Sequence, residues 1–417
     1  MAVFLFCFVG DDICLLSFAF ACSGYEQIKA YIKTSFSNMT QSLKKPVGVG
    51  LVGAGWMGAR LLAHFVDRED VKVIGLHQRN QERAEASLAA HALDPVIYCD
   101  SYEALLALPE LDAVVICSPN ALHGPQVIAA QEAGKHVFCE KPASTSYADY
   151  QRQIELELAN PDLVNMVDYI LHFDAFEQRL AHLIKLGAFG AITQVQVNYR
   201  HAINTAGEKA WKLDEAQVGD AIGMGVIHAL SMMVSMMAPQ GQPAWVFADS
   251  QPGRSKEFGV DPIWSIQVGF DQGTQGFCFG NIDHSNGYDA YHAVHGTDGA
   301  LVFDPGQARA RKVRYWSKVH TEGEWVFPLD PARCEAEGAE AWPEETTTPD
   351  SGDVLAHPSR AAVDHFIDCI QKGEPSFLSF ARTAMIAEVS WAAQLSAQIG
   401  QRIALPVIPD IAEEFLG

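Results

Sequence analysis

Val47-Gly48-Val49-Gly50-Leu51-Val52-Gly53-Ala54-Gly55-Trp56-Met57-Gly58 decides how this chain folds. A short valine-rich run meets a glycine cluster at once, and residues 59–65 continue as a helical segment. That is G-x-G-x-x-G in its strand–turn–helix setting. Gly53 permits the tight turn, Gly55 lets a pyrophosphate approach the backbone, and Gly58 lets the helix pack closely on the strand. Trp56 and Met57 stand at the helix start, whose N–H groups present a positive end to phosphate.

Outward from this motif the alternation persists. Residues 71–76, 113–117 and 136–139 read as strands, and residues 81–91 and 125–133 as helices, the second ended by Gly134. Such β–α alternation predicts a doubly wound parallel sheet whose ligands sit beyond the C-terminal strand ends. Two loops leave those ends, Ser118-Pro119-Asn120-Ala121-Leu122-His123 and Glu140-Lys141-Pro142. Both are placed to reach a cofactor. After the second strand come Gln78 and Arg79, with no carboxylate for ribose hydroxyls and with a guanidinium suited to a 2′-phosphate. The expected cofactor is therefore NADP or NAD, with a modest preference for NADP.

Composition changes after Pro161. Residues 173–186 predict a helix. Strands are expected at 192–199, 264–270, 276–280, 293–295, 300–303 and 313–317, with a methionine-rich helix over 221–237. Its methionines read as a core stripe. Residues 329–353 read as a solvated excursion, and helices return at 360–371 and 381–399. The fold class expected is α/β, a Rossmann domain over 46–163 followed by an α+β domain over 164–417 with a large, mainly antiparallel open sheet.

Residues 1–45 stand apart. Residues 1–22 are apolar and aromatic but carry no Lys or Arg, and Asp11 and Asp12 interrupt them, which fits neither a signal peptide nor a membrane helix. Met39 reads as the functional start, the segment before it being an extension or a misplaced start. Net charge is -22, from 51 acidic and 29 basic side chains, which argues against nucleic acid as partner. The nine cysteines form no CxxC pair, so buried thiols in a reducing cytoplasm are expected, with no zinc site. No membrane association is expected.

Hydride chemistry needs a group that moves a proton on the reacting oxygen. Lys141 is the first candidate, at a strand end on the cofactor side. His228, within an apolar helix, is the second. Asp220 lies two turns before His228, too far to touch its ring unless the backbone departs from helix, and is read as binding substrate or capping the helix. Asp168, Tyr169 and His172 enter the second region together as a polar wall.

These residues resemble the Gfo/Idh/MocA family (glucose-fructose oxidoreductase, inositol dehydrogenase, rhizopine catabolism). The marks are Gly53 to Gly58, Ser118 to His123, Glu140-Lys141-Pro142, residues 184–190 and residues 387–393. The resemblance implies NAD(P)-dependent oxidation or reduction of a sugar, polyol or related hydroxy compound. Lys141 would assist catalysis, the loop Ser118, Pro119, Asn120, His123 would meet the cofactor, and the chain would form a homodimer or homotetramer through its sheet. The family's pocket helix carries an aspartate four residues before the histidine. His228 matches the histidine, but Met224 holds the aspartate position and Ser231 that of a second aspartate. His172 stands where arginine is common. The alternative to an enzyme is therefore a cofactor-binding sugar or redox sensor with reduced turnover.

Overall fold

The structure, a computed structural model, describes residues 5–9, 12–16, 45–90, 96–290, 292–303, 313–339 and 358–407. Two compact units result, Met1–Pro46 and Val47–Gly417. In the first, β1 (Leu5–Val9) and β2 (Asp12–Leu16) pair antiparallel with Val9 opposite Asp12. Met39 lies outside the described residues, as does His91 at the end of the second expected helix.

The second unit opens with β3 (Val47–Val52), α1 (Trp56–Val66), β4 (Val71–His77), α2 (Gln81–Ala90), β5 (Ile97–Cys99), α3 (Tyr102–Leu106), β6 (Ala113–Ile116), α4 (His123–Glu132), β7 (His136–Cys139), α5 (Tyr147–Ala159) and β8 (Asn165–Val167). The six strands form one parallel sheet in the order β5-β4-β3-β6-β7-β8. This is the doubly wound order with its switch point between β3 and β6. The sheet takes its last strand from Asn165–Val167, past the boundary expected at residue 163. Helix α5 was not foreseen; the Ser146 hydroxyl accepts the Asp149 N–H and so caps its start.

Register decides where the loops emerge. Val52 stands opposite His77 and Ile116, Ile116 opposite Cys139, and Cys139 opposite Val167. The next residue of each strand, Gly53, Gln78, Cys117, Glu140 and Asp168, therefore falls in one row along the sheet edge. Backbone bonds hold the row: Cys117 N–H donates to Val52, Glu140 to Ile116 and Asp168 to Cys139, at 2.8 to 2.9 Å.

The chain continues with α6 (Ala175–Lys185), β9 (Ile192–Ala202), α7 (Glu215–Val218), a π-helical turn (Ile222–Val226) running into α8 (Ile227–Met237), then β10 (Pro243–Gln251), β11 (Ile263–Phe270), β12 (Gln275–Asn281), β13 (Asp283–Asp289), β14 (His292–Gly296), β15 (Gly299–Phe303) and β16 (Val313–Ser317). With β17 (Ile403–Ala404) these strands make a nine-stranded sheet, ordered β16-β15-β14-β9-β12-β11-β10-β17 with β13 on β9. All pairs are antiparallel except β9 with β12. Helix α8 lies on one face, with Met232, Met233, Met236 and Met237 buried as the core stripe expected.

One expectation fails. The stretch beginning at Leu329 is packed rather than solvated. Helix α9 (Pro331–Ala336) starts on an Asp330 cap, Leu329 and Cys334 are buried, and buried Arg179 donates to the Pro328 carbonyl and to Glu337. Its acidic, proline-containing sequence reads as loop because Glu337's partner lies 158 residues away. Residues 340–353 lie outside the described residues.

The chain end returns to the parallel sheet. Helix α10 (Ser359–Lys372) packs on α1, Phe366 meets Phe138 edge-on at 5.5 Å, and Arg68 pairs with Asp364 and Asp368. Trp391 of α11 (Ala384–Ile399) stacks edge-on against Tyr147 and Tyr150. The described cysteines from Cys99 onward are free thiols.

Candidate active site

The row of strand ends forms one wall of a cavity of about 1130 Å³. The opposite wall comes from β9, the segment before α7 and the π turn into α8: Tyr199, His201, Lys209, Trp211, Lys212, Met224 and His228.

At the cradle, Gly53 adopts φ +85°, and a Cβ there would lie 2.6 Å from the Cys117 carbonyl oxygen. A Cβ at Gly58 would lie 1.9 Å from the Gly53 carbonyl oxygen, whereas at Gly55 it would meet nothing within 4 Å. Gly53 and Gly58 thus hold the turn, and Gly55 faces open cavity. Gln78 accepts the Ala54 N–H, so its amide braces the glycine turn. Exposed Arg79 stands at the rim, and Trp56 and Met57 line the near wall. An open backbone cradle, a helix N-terminus and a rim guanidinium fit a dinucleotide phosphate.

The two expected loops divide their work. Ser118 and Pro119 line the cavity, and the Ser118 hydroxyl donates to Gln126 at 2.6 Å. Asn120 is buried and donates to the Val218 carbonyl at 3.1 Å, tying this loop to α7. His123 is also buried. Its ring nitrogens lie 2.7 Å from the Pro142 carbonyl and 2.8 Å from the Ser118 carbonyl, so it joins the two loops to each other.

Lys141 reaches across the cavity and donates to the Met224 carbonyl in the π turn. Burial lowers its pKa, while Glu140, Asp168 and Asp220 oppose that shift. The Asp168 carboxyl and Glu140 Oε1 have no hydrogen-bond partner among the described residues other than each other. Burial pushes both acids upward, Asp168 well above the usual range because Glu140 also repels it. Two such facing carboxyls retain a proton between them.

Asp220 does sit where the backbone departs from α-helix. Its carboxylate accepts the Gly223 N–H at 2.7 Å at the start of the π turn, and burial pushes it up to about 6. It works behind Lys141 and is absent from the cavity wall. His228 lines the cavity with its ring 5.7 Å from Tyr199, which stacks in turn on His201. Met224 is buried in the wall as a thioether.

Tyr169 and His172 are placed elsewhere. Tyr169 is buried in the core. His172 packs 6.3 Å from the Tyr169 and Phe377 rings, and burial lowers its pKa to about 4. Neither side chain lines the cavity. Of the polar wall expected from residues 168–172, Asp168 alone faces it, because Ile170–Phe173 coils into a 3-10 turn after the strand.

Sequence reading missed Tyr199, His201, Lys209 and Lys212. Lys209 lies 5.7 Å above the Trp56 indole. Burial, with Lys141 and Lys209 adding repulsion, pushes Lys212 down to about 8, and His201 is lowered to about 4 mainly by burial. The Lys209-Ala-Trp-Lys212 pattern in an acidic chain is the signal that was available. No group of three or more metal-ligating side chains occurs among the described residues, and none of their helices is long and apolar enough to cross a membrane.

Comparison with known proteins adds to this geometry. Residues 47–167 match a family model described as an oxidoreductase family with an NAD-binding Rossmann fold, and residues 178–302 match a GFO/IDH/MocA C-terminal domain. The chain is 27% identical over 292 residues to D-xylose 1-dehydrogenase (NADP(+)) 2 of Haloferax volcanii, covering 69% of this chain and 86% of that one. It is 30% identical over 187 residues to inositol 2-dehydrogenase of Salmonella paratyphi B, covering 45% of this chain and about half, 52%, of that one. Levoglucosan dehydrogenase, solved with NADH and levoglucosan, superposes with TM-score 0.70 at 22% identity over 87% of this chain and all of that one. Aldose-aldose oxidoreductase of Caulobacter crescentus gives TM-score 0.69 at 21% identity over 86% of this chain and 100% of that one. These two structures share the fold.

Proposed function

The chain belongs to the GFO/IDH/MocA family of oxidoreductases with an NAD-binding Rossmann fold, and from that premise we propose that it interconverts a hydroxyl and a carbonyl on a sugar or polyol, with Lys141 moving the proton. The observation that carries this is the Lys141 ammonium, held between the π turn and the buried Glu140 and Asp168 carboxyls on the cavity wall. A bound nicotinamide supplies the hydride acceptor or donor. As the neutral amine that burial favours, Lys141 takes the hydroxyl proton when the alcohol is oxidised; as the resulting ammonium it stabilises charge on the oxygen and returns the proton on reduction. Glu140 and Asp168 refill or drain that proton, and His228 holds a substrate hydroxyl. Arg79 at the rim, with no acid at Gln78, supports a modest preference for NADP. Trp245, Phe247, Phe277 and Phe279 lie on the outward face of β10 and β12, alternating with buried Val246, Ala248, Cys278 and Gly280, which supports self-association as a homodimer or homotetramer through that face.

Met224 supports a second reading, a cofactor-binding sensor, because a thioether cannot orient an imidazole as a carboxylate does. Steady-state kinetics on a panel of sugars, polyols and sugar acids with both cofactors separates the two. Lys141→Ala is expected to lower kcat by more than about 100-fold, the scale of general acid–base groups, with nucleotide affinity kept. His228→Ala is expected to cost less in kcat and more in KM. A larger kcat loss in His228→Ala than in Lys141→Ala would move the base to His228. Ligand-induced shifts in NADPH fluorescence without turnover would favour the sensor.

A further inference from the structure

Besides four histidines, the cavity is lined by the basic side chains of Arg79, Lys141, Lys209 and Lys212 against the acids Glu140 and Asp168. Four basic groups against two acids is the reverse of the whole chain, with 29 against 51. The acids do not balance the lysines, because both are buried carboxyls pushed toward their protonated form. Lys141 is already engaged with the Met224 carbonyl. Lys209 and Lys212 form no ion pair among the described residues; Lys209 has only the Trp56 ring beneath it. Lys256 joins their field while donating to the Ile203 carbonyl. A half-buried ammonium crowded by others is costly, and an anion seated against it removes both the desolvation and the repulsion.

We propose that the substrate is an anionic polyhydroxy compound, its carboxylate or phosphate held by the Lys212 ammonium beside Lys209 while Lys141 faces the reacting hydroxyl. This rests on the oxidoreductase reading above and names its substrate class. Lys212 lies in the 3-10 segment Gly207–Leu213 on the wall opposite the strand ends. A sugar spanning from Lys141 to that wall presents its far substituent to Lys212. The same side chain predicts a pH dependence. Burial, with Lys141, Lys209 and Lys256 facing it beside Glu140 and His201, pushes its pKa down to about 8, so anion affinity is expected to fall as pH rises through that value.

The test titrates protein saturated with NADPH, and separately with NADH, using D-glucuronate, D-glucose 6-phosphate and D-glucose, which share a ring and differ in charge. At least one anion is expected to bind at least about tenfold tighter than glucose, the scale of a charge-assisted hydrogen bond. The arm that binds identifies carboxylate or phosphate. Lys212→Met is expected to abolish that advantage and Lys212→Arg to keep it, with nucleotide Kd unchanged in both. Glucose binding as tightly as both anions would overturn the proposal, and that comparison needs no variant. So would a Lys212→Met loss that falls on nucleotide Kd, since the ammonium would then serve the cofactor pyrophosphate. Turnover of neutral sugars with anions excluded sinks this inference and leaves the oxidoreductase reading intact. Failure to bind either nucleotide removes that reading and the inference with it.

Discussion

The near and far walls of the cavity are built by different physics. The cradle at Gly53–Gly58 is made of backbone within a dozen residues, and its function depends on the lack of side chains. The far wall is made of side chains from residues 199–228, which face Lys141 and Asp168 only after two sheets have formed. The first tolerates little substitution but announces itself. The second depends on which side chains distant elements bring together, with the lysines and histidines keeping it polar.

The largest effect tests whether the cradle glycines differ in kind. Gly58→Val is expected to cost more than about 4 kcal/mol, the range of severe steric mutations, because its Cβ would overlap the Gly53 carbonyl oxygen. Gly55→Val should keep its melting temperature yet lose nucleotide binding, since nothing lies within 4 Å of that Cβ. Calorimetric titration beside thermal melts checks both. Unchanged nucleotide affinity in a folded Gly55→Val would break the cradle assignment.

A smaller effect sharpens the near wall. Arg79→Ala is expected to shift the NADP-to-NAD affinity ratio against NADP by about 1–3 kcal/mol, the value of a charge-assisted bond. Dissociation constants for both nucleotides in wild type and variant decide it, and an unchanged ratio would make Arg79 a solvated bystander.

The smallest effect tests where the far wall ends. Folded His172 takes a proton only near pH 4, lowered by burial, against a usual value of 6.5. The unfolded chain binds that proton first, so His172 makes stability fall as pH drops from 6.5 toward 4. His172→Phe should flatten part of that fall in denaturant midpoints measured between pH 7.5 and 5, leaving substrate KM unaltered. A raised KM with an unchanged pH slope would return His172 to the substrate wall.

Asp168 and Asp220 illustrate how far a sequence reaches into such a site. Asp168 was legible only as part of a polar wall with Tyr169 and His172; the strand Asn165–Val167, whose end aims it at the cavity, was not read from the sequence. Asp220 was legible only as a conditional, since the sequence did not announce the π turn that carries it behind Lys141. Tyr169 and His172 looked equivalent to Asp168 by adjacency, but one 3-10 turn carried them into the core.

By itself, the sequence determined the four central strands of the parallel sheet, the glycine turn and the placement of Lys141 at a strand end, because glycine geometry and strand alternation are local properties written in neighbouring residues. Tertiary structure alone decided that Arg179 would clasp Glu337, that the terminal helices would cover the parallel sheet, and that Lys209 and Lys212 would face Lys141. Those contacts join residues some 70 to 300 positions apart. Burial and charge at such points depend on what packs around them, which no local pattern contains.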